Sequence, residues 1–144
     1  MAAQDYSNHT QFVPLFHRIL IPVIGLTFIG ACINLYLSFG DHQRLYSASL
    51  IVVLTVCLAV ISLLSRIFAL KAQDRAIRAE ENLRHFALAG KLLDPRLSVR
   101  QVVALRFAPD DEFVVLASKA ADQNLTPDAI KRAVKQWRTD TYRV

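Results

Sequence analysis

Glycine is scarce in this sequence, and the few glycines exclude one large class of enzyme site. The 144 residues include four glycines, at positions 25, 30, 40 and 90. They are too widely spaced to form a glycine-rich loop that binds a nucleotide phosphate. The sequence also has no coherent arrangement of a nucleophile with a general base. We therefore expect a protein that has no catalytic activity of its own and needs no cofactor.

Cysteine and histidine are also few, and their positions do not indicate a metal, haem or redox site. Cys32 and Cys57 lie in separate apolar segments, at depths that differ by about 7 Å for a rise of about 1.5 Å per residue. This offset strains the Cα separation of about 4.4–6.8 Å that a disulfide requires. The histidines do not pair at a common depth, so we expect surface or interfacial positions for all four: His9, His17, His42 and His85.

Two long apolar segments dominate the first half of the chain. Residues 19–39 and 45–68 are nearly free of charge, and the short polar loop Gly40-Asp41-His42-Gln43-Arg44 separates them. A helix of about 20 residues spans the hydrocarbon core of roughly 30 Å. The sequence therefore predicts an all-α membrane protein with a two-span transmembrane helical hairpin.

A processed lipoprotein is the alternative interpretation of the first apolar segment. Residues Ile29-Gly30-Ala31-Cys32 resemble the lipobox that precedes a lipidated cysteine. The segment stays apolar through Phe39, whereas a lipoprotein turns polar after its cysteine. A spanning helix is therefore the favoured interpretation.

Positive charge is distributed unevenly around the two spans. The connecting loop carries one arginine, Arg44, and Asp41 offsets its charge. Because cytoplasmic flanks accumulate Lys and Arg, we expect a multi-pass protein of the bacterial inner membrane with both termini in the cytoplasm. The basic residues expected to contact anionic lipid headgroups are Arg18, Arg66, Lys71 and Arg75.

The second half of the chain is charged and predicts a small helical domain. Residues 71–144 contain 14 Lys or Arg and 10 Asp or Glu. We predict a cytosolic N-terminal segment over 1–18, the hairpin over 19–70 and a cytosolic α-helical domain over 71–144. The second span has no proline or glycine between residues 65 and 89, so it should continue as one long helix up to Gly90. Glu80 and Arg84 predict an i,i+4 ion pair on this helix.

Three shorter helices are predicted after the long one. Their expected N-caps are Ser98, Asp110 and Thr126, and the last helix is expected to cover residues 127–139. Twelve apolar residues are available for a compact core: Leu93, Leu97, Val102, Val103, Leu105, Phe107, Phe113, Leu116, Leu125, Ile130, Val134 and Trp137.

Small and polar residues recur at helical spacing along both spans. Because such residues let membrane helices approach closely, we predict that the two stripes face each other. An amide in hydrocarbon needs a hydrogen-bond partner, so we interpret Asn34 as an interhelical contact, with a ligand or ion contact as the alternative. The stripes are Thr27, Gly30, Ala31, Asn34 and Ser38 in the first span, and Thr55, Ala59 and Ser62 in the second.

The whole chain resembles an uncharacterised bacterial family of two-span membrane proteins. The resemblance is carried by residues 74–84, by Leu105-Arg106-Phe107-Ala108 and Trp137-Arg138, and by Tyr6-Ser7-Asn8-His9 with Pro14 and His17 at the head. Members of that family are often labelled ABC transporter permeases. The resemblance implies the fold and supplies no activity.

These features favour a small accessory or scaffolding subunit of a larger bacterial membrane complex, in contact with other membrane subunits or with copies of itself. A homo-oligomeric channel or transporter component is the first alternative, with Asn34 facing a pore. Membrane-tethered nucleic-acid binding through Lys131, Arg132 and Lys135 is the second. It is the less favoured one, because acidic residues share that domain and a nucleic-acid footprint is a concentrated basic face.

Overall fold

The computed structural model describes Tyr6 and residues 13–140, and within them the fold is all-helical, as predicted. Tyr6 and residues 70–140 belong to one compact unit, the helical domain, and residues 13–69 form a second, the hairpin unit. The five α-helices of these parts, preceded by a π-helical turn at Leu15–Leu20, are α1 (Ile21–Leu37), α2 (His42–Ala89), α3 (Val99–Leu105), α4 (Asp110–Asp122) and α5 (Pro127–Ala133).

The hairpin unit turns at Gly40 and Asp41. Gly40 has a φ of 101°, a left-handed conformation that a residue with a Cβ adopts at a cost. The Asp41 carboxylate then accepts hydrogen bonds from the backbone N–H groups of Gln43 (3.1 Å) and Arg44 (3.2 Å), which satisfies free donors in the first turn of α2. The loop can be short, because Asp41 within it caps the helix that follows.

Helix α2 is 48 residues long and ends where the sequence predicts. Its last residue is Ala89, and Gly90 follows with a φ of 69°. The Gly90 N–H still donates to the Phe86 carbonyl at 2.8 Å, which is the usual way in which glycine ends a helix. The absence of an interior proline or glycine therefore corresponds to one continuous helix.

The core of the helical domain is formed by α3, α4, α5 and the turn after α2. Its largest fully buried side chains are those of Val102, Leu105, Phe107, Phe113 and Ile130. Eleven of the twelve predicted core residues are either buried or packed against the buried cluster, whereas Val103 is half-buried outside it. Phe107 is also fully buried, and Trp137 covers it with a ring-centroid distance of 4.7 Å.

The capping box predicted for α3 is present. The Ser98 hydroxyl accepts from the Gln101 N–H at 3.3 Å, and the Gln101 side chain accepts from the Ser98 N–H at 2.7 Å. The buried Gln101 amide group also donates to the Leu125 carbonyl at 2.8 Å. Gln101 therefore completes the cap of α3 and also fixes the loop between α4 and α5.

Thr126 caps α5 as predicted. Its hydroxyl accepts a hydrogen bond from the Ala129 N–H.

The prediction that Asp110 caps α4 is wrong. Pro109 occupies the N-cap position, and no side chain caps this helix. Asp110 is instead the first helical residue, followed by Asp111 and Glu112. Three acidic side chains in the first turn stabilise the positive end of the helix dipole without a capping bond. Asp110 is consequently free to pair with an arginine of α2.

The predicted extent of α5 is also wrong, because the helix ends at Ala133 and not at Thr139. Val134 already has an extended conformation. The Glu112 carboxylate accepts from the N–H groups of Lys135 (3.0 Å) and Gln136 (3.3 Å). These bonds from α4 replace the intrahelical ones, so residues 134–140 run as a non-helical segment, the C-terminal strap.

The strap is fixed to the core at a second point. The Arg138 N–H donates to the Phe107 carbonyl at 2.8 Å, next to the stacked rings of Phe107 and Trp137. If the helix continued to residue 139, the Arg138 N–H would bond within the helix and not to the Phe107 carbonyl. The strap therefore closes the core over Phe107.

We predict that Gln101→Ala destabilises the protein by about 2 kcal/mol, because it removes the capping box and leaves the Leu125 carbonyl without its donor. Chemical unfolding of the full chain in detergent, followed by circular dichroism, measures this change. Arg100→Ala is the matched control, since Arg100 is exposed on the same helix. Equal stability of the two variants would contradict the linking role of Gln101.

Candidate functional site

The predicted stripe residues of the hairpin unit differ in burial. Ala31, Ser38 and Thr55 are buried, and Ala59 and Ser62 are half-buried. Thr27, Gly30 and Asn34 are exposed. Ile24 on α1, which is apolar and lies outside the predicted stripe, is buried as well. That the two stripes face each other stays a prediction.

Hydroxyl groups in the hairpin unit bond to carbonyls of their own helix. The Ser38 hydroxyl donates to the Asn34 carbonyl at 2.7 Å, Thr55 donates to Val52 at 2.8 Å, and Ser62 donates to Leu58 at 2.9 Å. Such bonds satisfy a hydroxyl without a partner helix. These side chains therefore act as small packing residues.

The carboxamide of Asn34 is different, because it makes no hydrogen bond to any described residue of the chain. It borders an open polar cleft of about 290 Å³ at the loop end of the hairpin unit. The cleft is also lined by Ser38, Gln43, Arg44 and Ser47. The Asn34 amide therefore leaves donors and acceptors exposed beside a polar cleft. Its role as an interhelical contact, or as a ligand or ion contact, stays a prediction.

The residues predicted to contact a membrane surface lie in both units. In the hairpin unit, Arg18 is exposed, and the guanidinium of Arg66 lies 5.8 Å from the ring centroid of Phe16. In the helical domain, Lys71 and Arg75 are exposed on α2. Contact of these four residues with lipid headgroups stays a prediction.

Two of the most buried charges of the helical domain, Arg84 and Glu81, form an ion pair. The Arg84 guanidinium pairs with Glu81 at 3.0 Å and with Asp110 at 2.6 Å, and it donates to the Ala108 carbonyl at 2.8 Å. It also lies 4.3 Å from the ring centroid of Phe113. The Arg84 and Glu81 side chains are only 12% and 8% exposed. The pair to Glu81 is formed where the sequence predicted one to Glu80.

Further ion pairs surround this centre. Arg138 of the C-terminal strap lies 3.8 Å from Glu81, and Arg106 lies 3.1 Å from Asp140. The charges of Glu81, Arg84, Asp110 and Arg138 are thus paired with one another. These ion pairs stabilise the domain. No group of three His, Cys, Asp or Glu side chains in the described ranges is placed to hold a metal.

The surface position predicted for His85 is wrong. Its ring is buried, and its Nδ1–H donates to the Lys91 carbonyl at 2.7 Å. The ring lies edge-on to Phe113, with 5.8 Å between the centroids. The Asn82 side chain adds a second bond by accepting from the Leu93 N–H at 3.2 Å. Both side chains fix the turn that reverses the chain after α2.

An open groove of about 760 Å³ lies beside this turn. Asp94 and Asp122 line its rim, and the Arg96 guanidinium bridges these carboxylates at 2.7 Å and 2.9 Å. The hydrogen bonds that Arg96 donates, from its side chain and then from its backbone, lower the pKa of Asp94 from 3.8 to about 2. The carboxylates also raise the pKa of Arg96. The rim therefore stays charged at physiological pH.

Arg132 of α5 has an acidic neighbour. Arg132 pairs with Asp128 at 3.0 Å and donates to the Tyr6 hydroxyl at 3.1 Å, and Tyr6 in turn donates to Asp128. The Tyr6 hydrogen bond and the Asp128 charge raise the pKa of Arg132. Local neutralisation weakens the electrostatic basis of nucleic-acid binding, which stays an untested alternative.

We predict that Arg84→Leu destabilises the protein by about 3 kcal/mol, because a buried carboxylate and a carbonyl lose their donor. Arg84→Lys should recover only part of the loss, since an ammonium cannot reproduce the fork of a guanidinium. Arg78→Leu is the matched control, because Arg78 is exposed on the same helix. Thermal unfolding of the full chain measures all three variants. A loss in Arg78→Leu as large as that in Arg84→Leu would refute the assignment.

We predict that Asp94 titrates at about pH 2 and that Arg96→Gln returns its pKa towards 3.8. The folded pKa lies below the ordinary one, so this interaction stabilises the fold above pH 3.8 and is lost as the pH falls through about 2. Carboxyl-carbon NMR of the full chain in micelles follows the titration, with Arg100→Gln as the control. An unchanged Asp94 pKa in Arg96→Gln would contradict the assigned cause.

The comparisons with known proteins identify the family of the chain. A family model described as "Family of unknown function (DUF6526)" matches residues 1–144. No curated protein and no solved structure matches the chain. The resemblance to an uncharacterised family is thereby confirmed, over the full range predicted from the sequence. This chain, with its Arg84-centred helical domain and its unpaired Asn34, belongs to the DUF6526 family of unknown function.

Proposed function

We propose that this protein is an integral subunit of the bacterial inner membrane that scaffolds a larger complex and has no catalytic activity of its own. The observation that carries the proposal is the outward surface of the hairpin unit. Two helical segments, Leu15–Leu37 and His42–Ala89, are long and apolar enough to cross a membrane, and most of their apolar side chains are exposed. A continuous apolar surface of this kind needs lipid or another chain to cover it.

The polar groups of the hairpin unit support insertion into lipid. A spanning helix must satisfy its polar groups internally, and the hydroxyls of Ser38, Thr55 and Ser62 bond to carbonyls of their own helix. The basic residues at the ends opposite the loop support a cytoplasmic location of both termini. They also support contact with anionic headgroups.

Asn34 supports a second chain as the partner. Its carboxamide is exposed and unpaired within the described residues, and a polar side chain in lipid is stabilised by a hydrogen bond across a helix–helix contact. The neighbouring cleft, with Gln43 and Ser47 on its rim, offers further polar groups at the loop end. A partner span that donates to or accepts from Asn34 would satisfy this amide.

The helical domain supports an interaction role in place of chemistry. Its buried charges, around Arg84 and Glu81, hold the domain together. The groove beside Leu93 and its charged rim, formed by Asp94 and Asp122, leave a surface suited to a protein partner. We assign this domain to the cytoplasmic side as the part that docks to the complex.

A homo-oligomeric channel or transporter component is the second candidate. Thr27 and Asn34 are both exposed on α1, seven residues or about two turns apart. In a closed ring of copies, a polar pair with this spacing would face a common axis. The two candidates differ in stoichiometry, because the scaffold requires a different partner chain and the channel does not.

Native mass spectrometry of the tagged protein, extracted from its own membrane in mild detergent, tests the proposed function. We expect a fixed heteromeric mass that is lost in Asn34→Leu and kept in Ile33→Leu, because Ile33 is exposed at the neighbouring position. A closed homo-oligomer whose ion flux in liposomes changes in Asn34→Leu would favour the channel. A stable monomer without bound protein would refute both.

A further inference from the structure

Helix α2 has two different faces within the helical domain. The inward face carries Ile77, Glu81 and His85, which are 5–7% exposed. The outward face carries a second row, the outer seam, whose larger members Leu83 and Phe86 are 69% and 52% exposed. The whole seam is exposed and consists of Ala72, Ala76, Ala79, Leu83 and Phe86. The core of the domain therefore leaves an apolar helix face uncovered.

The spacing of the outer seam is that of a two-stranded coiled coil. Its members follow one another at steps of 4, 3, 4 and 3 residues, the alternation of d and a positions in a heptad repeat. Alanine at three of the five positions allows two helix backbones to approach closely, and Leu83 with Phe86 supplies the larger apolar contact. We infer that the outer seam packs against the same seam of a second copy of this chain, in parallel and in register.

Charge next to the seam identifies the second copy as the occupant. In this register Arg75 is a g position and Glu80 is an e position, and they are five residues apart. A parallel pair brings a g residue of one helix next to the e residue five positions further on in the other. Two symmetric Arg75–Glu80 ion pairs would then flank the seam. Both side chains are exposed, and neither has an ion pair within the described chain. A second copy of the protein therefore supplies an ion-pair partner of opposite charge for each of them.

The parallel direction rests on the proposed membrane insertion. Helix α2 continues from the second span into the helical domain. Two copies with the same topology in one bilayer therefore bring α2 together running in the same direction. The seam covers only about two heptads, which is short for a stable coiled coil in solution. Confinement to one membrane raises the effective concentration of the two helices. We therefore expect the contact in protein that carries the hairpin unit and is inserted in a membrane.

Disulfide cross-linking in membrane vesicles tests the seam. Full-length protein carrying Cys32→Ser and Cys57→Ser receives Ala79→Cys at a seam position or Arg78→Cys at the adjacent exposed position. After copper–phenanthroline oxidation, we expect at least about tenfold more cross-linked dimer in Ala79→Cys, because d positions face each other across a parallel pair. Equal yields in the two variants would overturn the inference.

Carbonate extraction of the same vesicles reports hairpin insertion separately. Release of the chain by carbonate would refute the proposed membrane function and, with it, the parallel arrangement. Retention of the chain together with equal cross-linking of Ala79→Cys and Arg78→Cys would refute only the seam. The two failures are therefore distinguishable in one preparation.

Charge exchange tests the flanking ion pairs. In the Ala79→Cys protein, Arg75→Glu or Glu80→Arg alone should lower the cross-linked fraction at least about fivefold, because each places like charges across the seam twice. The double variant Arg75→Glu with Glu80→Arg should restore it. Arg78→Glu makes the same charge change outside the seam and should have no effect. Unchanged yields in both single variants would overturn the assigned parallel register.

Discussion

The guanidinium of Arg84 joins the separate segments of the helical domain. It holds Glu81 on its own helix and Asp110 at the start of α4, and it stacks on Phe113 of the core. Charges at this depth lose most of their hydration, so they stabilise the fold only when each acceptor has its donor. The positions of the neighbouring elements follow from this requirement: α4 begins beside α2, and the C-terminal strap brings Arg138 to the other side of Glu81.

The outward surface of helix α2 changes along its length. From residue 50 to residue 69 its outward side chains are almost all apolar, whereas further on charged residues alternate with the outer seam. The same helical repeat therefore places Ile77 in a packed core and leaves Leu83 uncovered, although the two residues are only six positions apart. The contacts that stabilise the helical domain and the uncovered residues of the outer seam thus lie on opposite faces of α2.

Most helix ends were predictable from the sequence, although the cap of α4 was misplaced by one residue. Features that depend on distant residues were not predictable. Gly90 ends α2 and Ser98 begins α3 as expected, because a helix end is determined by the few residues around it. The end of α5 was mispredicted, since its competing acceptor is Glu112, more than twenty residues earlier in the chain. His85 was misplaced because its ring packs against Phe113 of α4, and because the Lys91 carbonyl reaches its ring only once the turn after α2 has formed. The exposure of Asn34 depends on the rotation of α1, which periodicity alone does not fix.

The C-terminal strap has a consequence for the biogenesis of the protein. Trp137 covers Phe107 and Arg138 bonds to it, so the core stays open until residues 134–140 have left the ribosome. Domains generally fold as units during synthesis. The hairpin segments emerge some seventy residues earlier than the strap. Under the proposed membrane function, they therefore have time to reach a bilayer before the strap closes the core.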